Sequence, residues 1–281
     1  MNLKTPLSRL CIKVGMSRQN YYKGHKQRLS REVDAGLVEQ MVRAERAVQP
    51  RLGGKKLYHL LKPALKEAGI SIGRDRFLKV LGERGLLLEP LPKAPRTTNS
   101  RHSLPVFRNL LVDMELKYSN QVWVSDITYI RTDEGFLYLS LITDAFSRKI
   151  VGFHGGDSLE TEGCLKSLEV AVKELKGRDD RPTHHSDRGC QYCSHLYTGR
   201  LRDYGLGISM TEELHCYENA KAERVNGILK QEYALGRTFK TKEQAKRAIR
   251  EAVTLYNTRR PHLSLDYQIP AEAHEILRKS A

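Results

Sequence analysis

The sequence predicts an α/β chain in which a small all-α, helix-turn-helix-type region precedes a mixed β-sheet. Over the first 88 residues the apolar positions recur at helical spacing, punctuated by glycines. Three β-rich runs then follow one another across short turns: QVWVSDITYI, FLYLSLITDAF and KIVGFHGGD. Beyond them helices and short strands alternate, which argues for a mixed sheet and against a sandwich.

In chain order, SRLCIKVGMSRQNYYK reads as a short helix ending near Gly15, with Ser17 as the N-cap of a second segment. That segment opens with Arg18, Gln19, Asn20 and Tyr21, side chains suited to base edges or phosphates, so residues 1–29 form a candidate reader. Residues 30–48 carry Val33, Leu37, Val38, Met41 and Val42, close to a helical stripe. A helix with Leu57, Leu60, Leu61 and Leu65 follows the Gly53–Gly54 turn and stops at Gly69, with Pro63 as a point of kinking or splitting. A shorter helix opens at Ser71 or Gly73 and closes at Gly85. Lys55, Lys56, Arg74 and Arg76 give this group, residues 30–88, a basic exterior and mark it as a second DNA-binding unit. A merely solvated helical scaffold is the alternative. Residues 89–115 hold prolines and small polar residues without periodicity and read as a basic, extended linker.

Residues 116–258 are the expected sheet domain. Its three meandering strands include the turn Thr132-Asp133-Glu134-Gly135. A helix over 161–177, a strand PTHHSD, a helix near 193–204 and a strand GISM follow. HCYENAKAERVNGILKQEY, a helix across 241–257 and a last helix near 270–279 complete the reading, with 259–281 set apart as a tail.

Composition narrows the class. Apolar residues make up 40% and charged residues 29% of the 281, which is ordinary for a folded soluble chain. There is no run of 18 apolar residues, so no membrane partner is expected, and the charged N-terminus does not read as a secretory signal. Five cysteines, an odd number without framework spacing, suit a reducing compartment, and the cytoplasm is expected. The net charge is +15, and its position is informative. Residues 1–110 carry 23 Lys and Arg against 8 Asp and Glu, whereas 111–281 carry 25 of each. A field confined to the first two-fifths of the chain favours a polyanion, nucleic acid above all.

Acidic residues at strand ends carry the chemistry. Asp126 interrupts the apolar run WVSDITYI, where a lone carboxylate is costly to bury without a cation or donor. Asp187 ends PTHHSD, where a plain helix cap is the alternative. Glu218, Glu223 and Glu232 punctuate the following helix and, taken by themselves, read as its wet face. Two aspartates joined by one such glutamate match a familiar device: a pair of divalent ions, roughly 3.5–4 Å apart, that activates one oxygen and stabilises another in phosphoryl transfer. Mg²⁺ takes hard oxygen ligands of this kind, and one or two carboxylates per ion suffice.

WVSDITYI, HSDRGCQY and CYENAKAERVNGILKQE resemble the three catalytic blocks of the DDE transposase and retroviral integrase superfamily. More closely, they resemble the second-frame product of the IS3 family of bacterial insertion sequences. That family places a Glu 35 residues beyond its second Asp; 35 residues separate Asp187 from Glu223, whereas Glu218 leaves 30 and Glu232 leaves 44. YNTRRPHLSLDYQIPAEAH is similar to the family's terminal block, and RLGGKKLYHLLKPALKEAGISIGRDRFLKVLGERGLL to its upstream helical domain. The resemblance covers about residues 30–275 and departs from the family at Glu218, often Asp, and Arg224, often Ser.

The resemblance implies an RNase H-like core whose Asp126, Asp187 and Glu223 hold two Mg²⁺ or Mn²⁺ ions. It implies nicking of an element end and strand transfer of the freed 3′-OH on double-stranded DNA, comprising terminal inverted repeats and a target. It further implies a homo-oligomer on the DNA, an upstream-frame subunit as a partner, and a bacterial, nucleoid-associated setting. Helical geometry adds Asn219, Asn226, Gly227 and Lys230 to the face of Glu223, with Asn219 and Lys230 as DNA contacts, while Ala220, Val225, Ile228 and Leu229 form the apolar face. Arg259 and Arg260 of the terminal block read as phosphate contacts, and His262 as a DNA-positioning or packing residue. His184, His185, Cys190 and Cys193 raise a zinc reading, for which their spacing is poor. A nuclease of the same fold and a non-catalytic DNA-binding regulator are the competing functions.

Overall fold

The computed structural model describes residues 7–89, 103–175, 181–212 and 219–276. The chain divides into two compact units, one of residues 1–48 and 53–88, the other of residues 49–52 and 89–281.

The described residues of the first unit form four helices: α1 (Leu7–Lys13), α2 (Arg18–Val48), α3 (Gly54–Glu67) and α4 (Arg74–Glu83). Gly15, Gly69 and Gly85 follow α1, α3 and α4 in the left-handed region, with φ of +66°, +74° and +64°. Glycine enters this conformation without a Cβ clash, which is why these positions end helices. Ser17 accepts the N–H of Asn20 at 3.1 Å and caps α2 as expected. Val38 and Val42 of α2, Leu57, Leu61 and Leu65 of α3, and Phe77, Val80 and Leu81 of α4 are buried. Pro63 lies inside α3 without ending it.

One expectation needs correction. Residues 17–28 and 30–48 are not separate helices but one helix of 31 residues, so a boundary between residues 29 and 30 falls inside α2. Arg28-Leu29-Ser30-Arg31 contains neither proline nor glycine and nothing that stops a helix.

The second unit is built on a five-stranded sheet in the order β3-β2-β1-β4-β5. Its strands are β1 (Val122–Thr132), β2 (Gly135–Asp144), β3 (Ile150–Gly156), β4 (Thr183–Ser186) and β5 (Gly207–Met210). β1, β2 and β3 pair antiparallel, whereas β4 runs parallel to both β1 and β5. This is the mixed sheet that the strand spacing predicts. The helices are α5 (Thr161–Lys173), α6 (Cys190–Cys193), α7 (His195–Asp203), α8 (Ala220–Glu232), α9 (Lys242–Thr258) and α10 (Pro270–Ile276).

Two apolar layers enclose the sheet. Trp123, Ile142 and Val151 pack with Leu168 and Ala171 of α5 and Tyr197 and Leu201 of α7. Ile130, Leu137 and Leu139 pack with Val225 and Leu229 of α8 and Ile249 and Val253 of α9. Gly152 lets β3 and α5 come this close, because a Cβ there would run into the Ser167 carbonyl. Side chains alternate along β1, so odd positions such as Trp123 and Ile127 face α5 and α7 while Val124 and Ile130 face the α8 side. Asp126 shares the parity of Val124 and Ile130 and therefore points toward α8.

The terminal segment is bound into this unit by buried polar groups. The Ser147 hydroxyl donates to Asp144 Oδ1 at 2.6 Å and sits 2.8 Å from His274 Nδ1, all three side chains being buried. The Asn120 N–H donates to Asp144 Oδ2 at 2.7 Å. Burial alone would raise the Asp144 carboxyl, but its interactions with His274 and Ser147 outweigh this and hold it below its ordinary range. No helix among the described residues is long and apolar enough to cross a membrane.

Candidate active site

Asp126, Asp187 and Glu223 reach one region from three elements. In the β1–β4 ladder Ser125 pairs with Ser186, and Asp126 and Asp187 are the next residues along each chain, Asp187 lying just beyond the end of β4. Glu223 stands in the first turn of α8, exposed.

The electrostatics join them. Burial drives the Asp126 carboxyl up to about 7, with the negative charge of Asp187 adding to the rise and Glu223 contributing less. Burial and then Glu223 likewise raise Asp187, against the Gly189 N–H that donates to its Oδ1 at 3.0 Å. Among the described residues no three His, Cys, Asp or Glu side chains converge closely enough to hold one metal ion. The three carboxylates thus share a field without sharing a coordination shell. Their donor chemistry fits a hard divalent cation: oxygen ligands only, and a mutual repulsion that positive charge relieves.

Asn226 is the residue the sequence undervalued. Its Nδ2 donates to Asp126 Oδ2 at 2.8 Å, while the Ile127 N–H donates to Oδ1 at 2.9 Å. The side chain is buried and its Oδ1 has no hydrogen-bond partner. Its position three residues after Glu223, on the same helical face, was the available signal. Gly227, one residue on, has open space where a Cβ would lie, so another backbone can approach there. Lys230 is half-buried; burial lowers its pKa, while the charge of Asp126 raises it.

Two expected DNA contacts are corrected. Asn219 is buried ahead of α8, where its Nδ2 donates to the Ser125 carbonyl at 2.9 Å, so it ties the helix start to β1 and does not face solvent. Arg260 is 1% exposed, with Nε and Nη2 on the two Glu232 carboxylate oxygens at 2.8 and 2.9 Å and its guanidinium over the Tyr256 ring. This two-pronged pair commits the fork that would have gripped a phosphate. Glu232, read as wet surface, is its half-buried partner. Glu218 lies outside the described residues.

The remaining candidates are distributed as follows. Arg18, Gln19 and Asn20 are exposed at the start of α2, and Lys55 is exposed on α3 with Lys56 half-buried. Arg74 pairs with Asp75 at 2.9 Å and Arg76 with Glu83 at 3.5 Å, both exposed and readily exchanged. Arg259 is exposed. His262 packs edge-on against Tyr256, with its Nδ1 3.0 Å from the Ser264 hydroxyl.

The histidines and cysteines of the zinc reading go separate ways. His184 Nε2 lies 2.7 Å from the Ser125 hydroxyl and 2.9 Å from that of Tyr197, and His185 Nδ1 lies 2.8 Å from the Ser209 hydroxyl. Burial pushes the two imidazoles down to about 3 and about 4, so both are neutral. Cys193 is buried against the Met210 sulfur, and Cys190 is exposed. His184 thus braces the back of β1 directly behind the Asp126 face.

The chain is similar to known proteins. Residues 117–216 and 204–270 match two models described as integrase core domain. The 31 kDa protein of insertion element IS600 of Shigella sonnei is 35% identical over 274 residues, covering 95% of this chain and 97% of that protein. The transposase for insertion sequence element IS629 of the same organism is 31% identical, covering 95% and 90% respectively. Transposase InsF for insertion sequence IS3A of Escherichia coli K12 is 36% identical over 164 residues, 58% of this chain and 57% of that one.

Proposed function

Because the chain belongs to the IS3 family of transposases, within the DDE transposase and retroviral integrase superfamily, we propose that Asp126, Asp187 and Glu223 are its catalytic triad. The enzyme is a polynucleotidyl transferase of DNA transposition with an RNase H-like core. On our reading it nicks the ends of its element and joins each freed 3′-OH to a second phosphodiester. The observation that supports this reading is the Asp126 carboxyl, hydrogen-bonded by Asn226 and raised by burial and by the charge of Asp187.

The three carboxylates would hold two divalent cations, Mg²⁺ or Mn²⁺. When bound, these supply Lewis-acid stabilisation of the attacking and leaving oxygens. The protein's own part is placement. β1 carries Asp126, Asp187 directly follows β4, α8 supplies Glu223, and the Asn226 amide would fix the rotation of the Asp126 carboxylate. Gly227 leaves room for a DNA backbone, and Lys230 offers it a cation. Both steps are in-line displacements at phosphorus, so no side chain is covalently modified. The exposed Arg18, Gln19 and Asn20, together with Lys55, Lys56, Arg74 and Arg76, would bind terminal repeats or flanking DNA, and Arg259 a phosphate near the core. Joining two ends calls for more than one copy on the DNA, with an upstream-frame product as a further partner.

The direct test incubates the protein with Mg²⁺ and a labelled element end, beside Asp187→Asn and Glu223→Gln. Nicking and joining should disappear in both variants while DNA binding persists; variants as active as wild type reject the triad. Asn226→Ala should lower the joining rate about 10- to 100-fold, the usual cost of removing a ligand's outer support, with DNA affinity unchanged. A loss confined to affinity would instead make Asn226 a DNA contact. Arg18→Gln should reduce the slope of log affinity against log salt by about 0.9, the value for one phosphate contact. An unchanged slope removes Arg18 from the interface.

A further inference from the structure

Helix α2 is apolar on two opposite sides. Ala35, Val38 and Val42 are buried within its own unit. Half a turn away, Leu29, Val33 and Leu37 recur every four residues and stand open to solvent, 57%, 63% and 37% exposed. Exposed Tyr22 and Ala44 extend the line at its two ends. The apolar run is Leu29–Val33–Leu37, with exposed Lys26 and Gln40 standing between it and the outlying Tyr22 and Ala44; an apolar run opposite a helix's own core-facing side marks an interaction surface.

The line is symmetric about Val33: Leu29 and Leu37 flank it by four residues, Tyr22 and Ala44 by eleven. Laid antiparallel on a second copy, α2 would set Val33 on Val33, Leu29 on Leu37, and the large Tyr22 on the small Ala44. The charges select the same orientation. Residues 18–31 of α2 carry five Lys and Arg and no acid, whereas 32–46 carry four Asp and Glu against two Arg. A parallel pair would lay one basic half along the other; an antiparallel pair lays each basic half along an acidic one.

We propose that α2 is a self-association surface through which two copies of this chain pair antiparallel, with the two-fold axis at Val33. The proposal goes beyond the strand-transfer reading and is tested without DNA, metal or catalysis, so either can fail alone.

Sedimentation of the full chain at micromolar concentration should give a dimer, and Val33→Glu should weaken dimerisation at least tenfold with an unchanged circular dichroism spectrum. Cysteine cross-linking reads the orientation. Above the wild-type background, Val33→Cys should cross-link to itself, and Leu29→Cys to Leu37→Cys in a mixture but not to itself. A monomeric wild type, an unweakened Val33→Glu dimer or self-linking of Leu29→Cys overturns the proposal. A wild type that gains a partner only when the upstream-frame product is added overturns it too, in favour of a mixed assembly.

Discussion

Replacing Asp126 with Asn is expected to stabilise the metal-free protein while removing its activity. In the folded chain this carboxyl titrates at about 7, above its ordinary 3.8. The sign follows directly. Below the ordinary value both folded and unfolded states are protonated and the site costs nothing. As pH rises toward 7 the unfolded chain ionises first, so stability falls across that window and then stays constant. At about 1.4 kcal/mol per pH unit the penalty above pH 7 is on the order of 2–4 kcal/mol. Asn keeps an oxygen for the Asn226 amide and removes the charge, so the variant should melt several degrees higher at pH 8 and lose its advantage near pH 4. Its joining rate should fall by about three orders of magnitude, roughly 4 kcal/mol of barrier. Melting at or below the wild-type temperature at pH 8 would deny the buried-charge account, and activity within tenfold of wild type would deny the catalytic one.

The second large effect belongs to Arg260. Taking it to Ala leaves Glu232 charged and partly buried without its guanidinium, and truncating one partner of such a pair costs about 3–5 kcal/mol. Urea unfolding should show this loss. The double variant Arg260→Met with Glu232→Gln should recover most of it, because no unpaired charge remains. A phosphate contact predicts the reverse pattern: stability intact, DNA affinity reduced. That pattern would return Arg260 to the DNA interface.

What could be read in advance divides along physical lines. The three acidic blocks proposed as catalytic could be picked out because each is a short local pattern: an acid interrupting an apolar strand, an acid at a strand end, and one glutamate picked out by its distance from Asp187. The strands and most helix ends were legible for the same reason, through alternation and glycine. Asn219 and Arg260 were misread because polarity says nothing about a partner far along the chain. Asn219 meets the backbone of Ser125, and Arg260 meets Glu232 across 28 positions. No local pattern announces either pairing. Helix α2 was cut in two because its composition changes near residue 29, but composition does not end a helix unless a residue there breaks it.

The Arg260–Glu232 pair and the Asp144–Ser147–His274 cluster also set an order in time. A chain emerging from synthesis has its basic helices and all three acidic blocks before residue 256 is made, yet the partners that secure the end of α8 and the base of the sheet come last. A product cut short between Glu232 and Arg260 would keep the three proposed catalytic carboxylates and lose the groups that fasten the Glu223 helix. Such a fragment should keep the basic helices while leaving α8 unsecured. Arg260 and His274 are thus supports of the proposed site that are made after it.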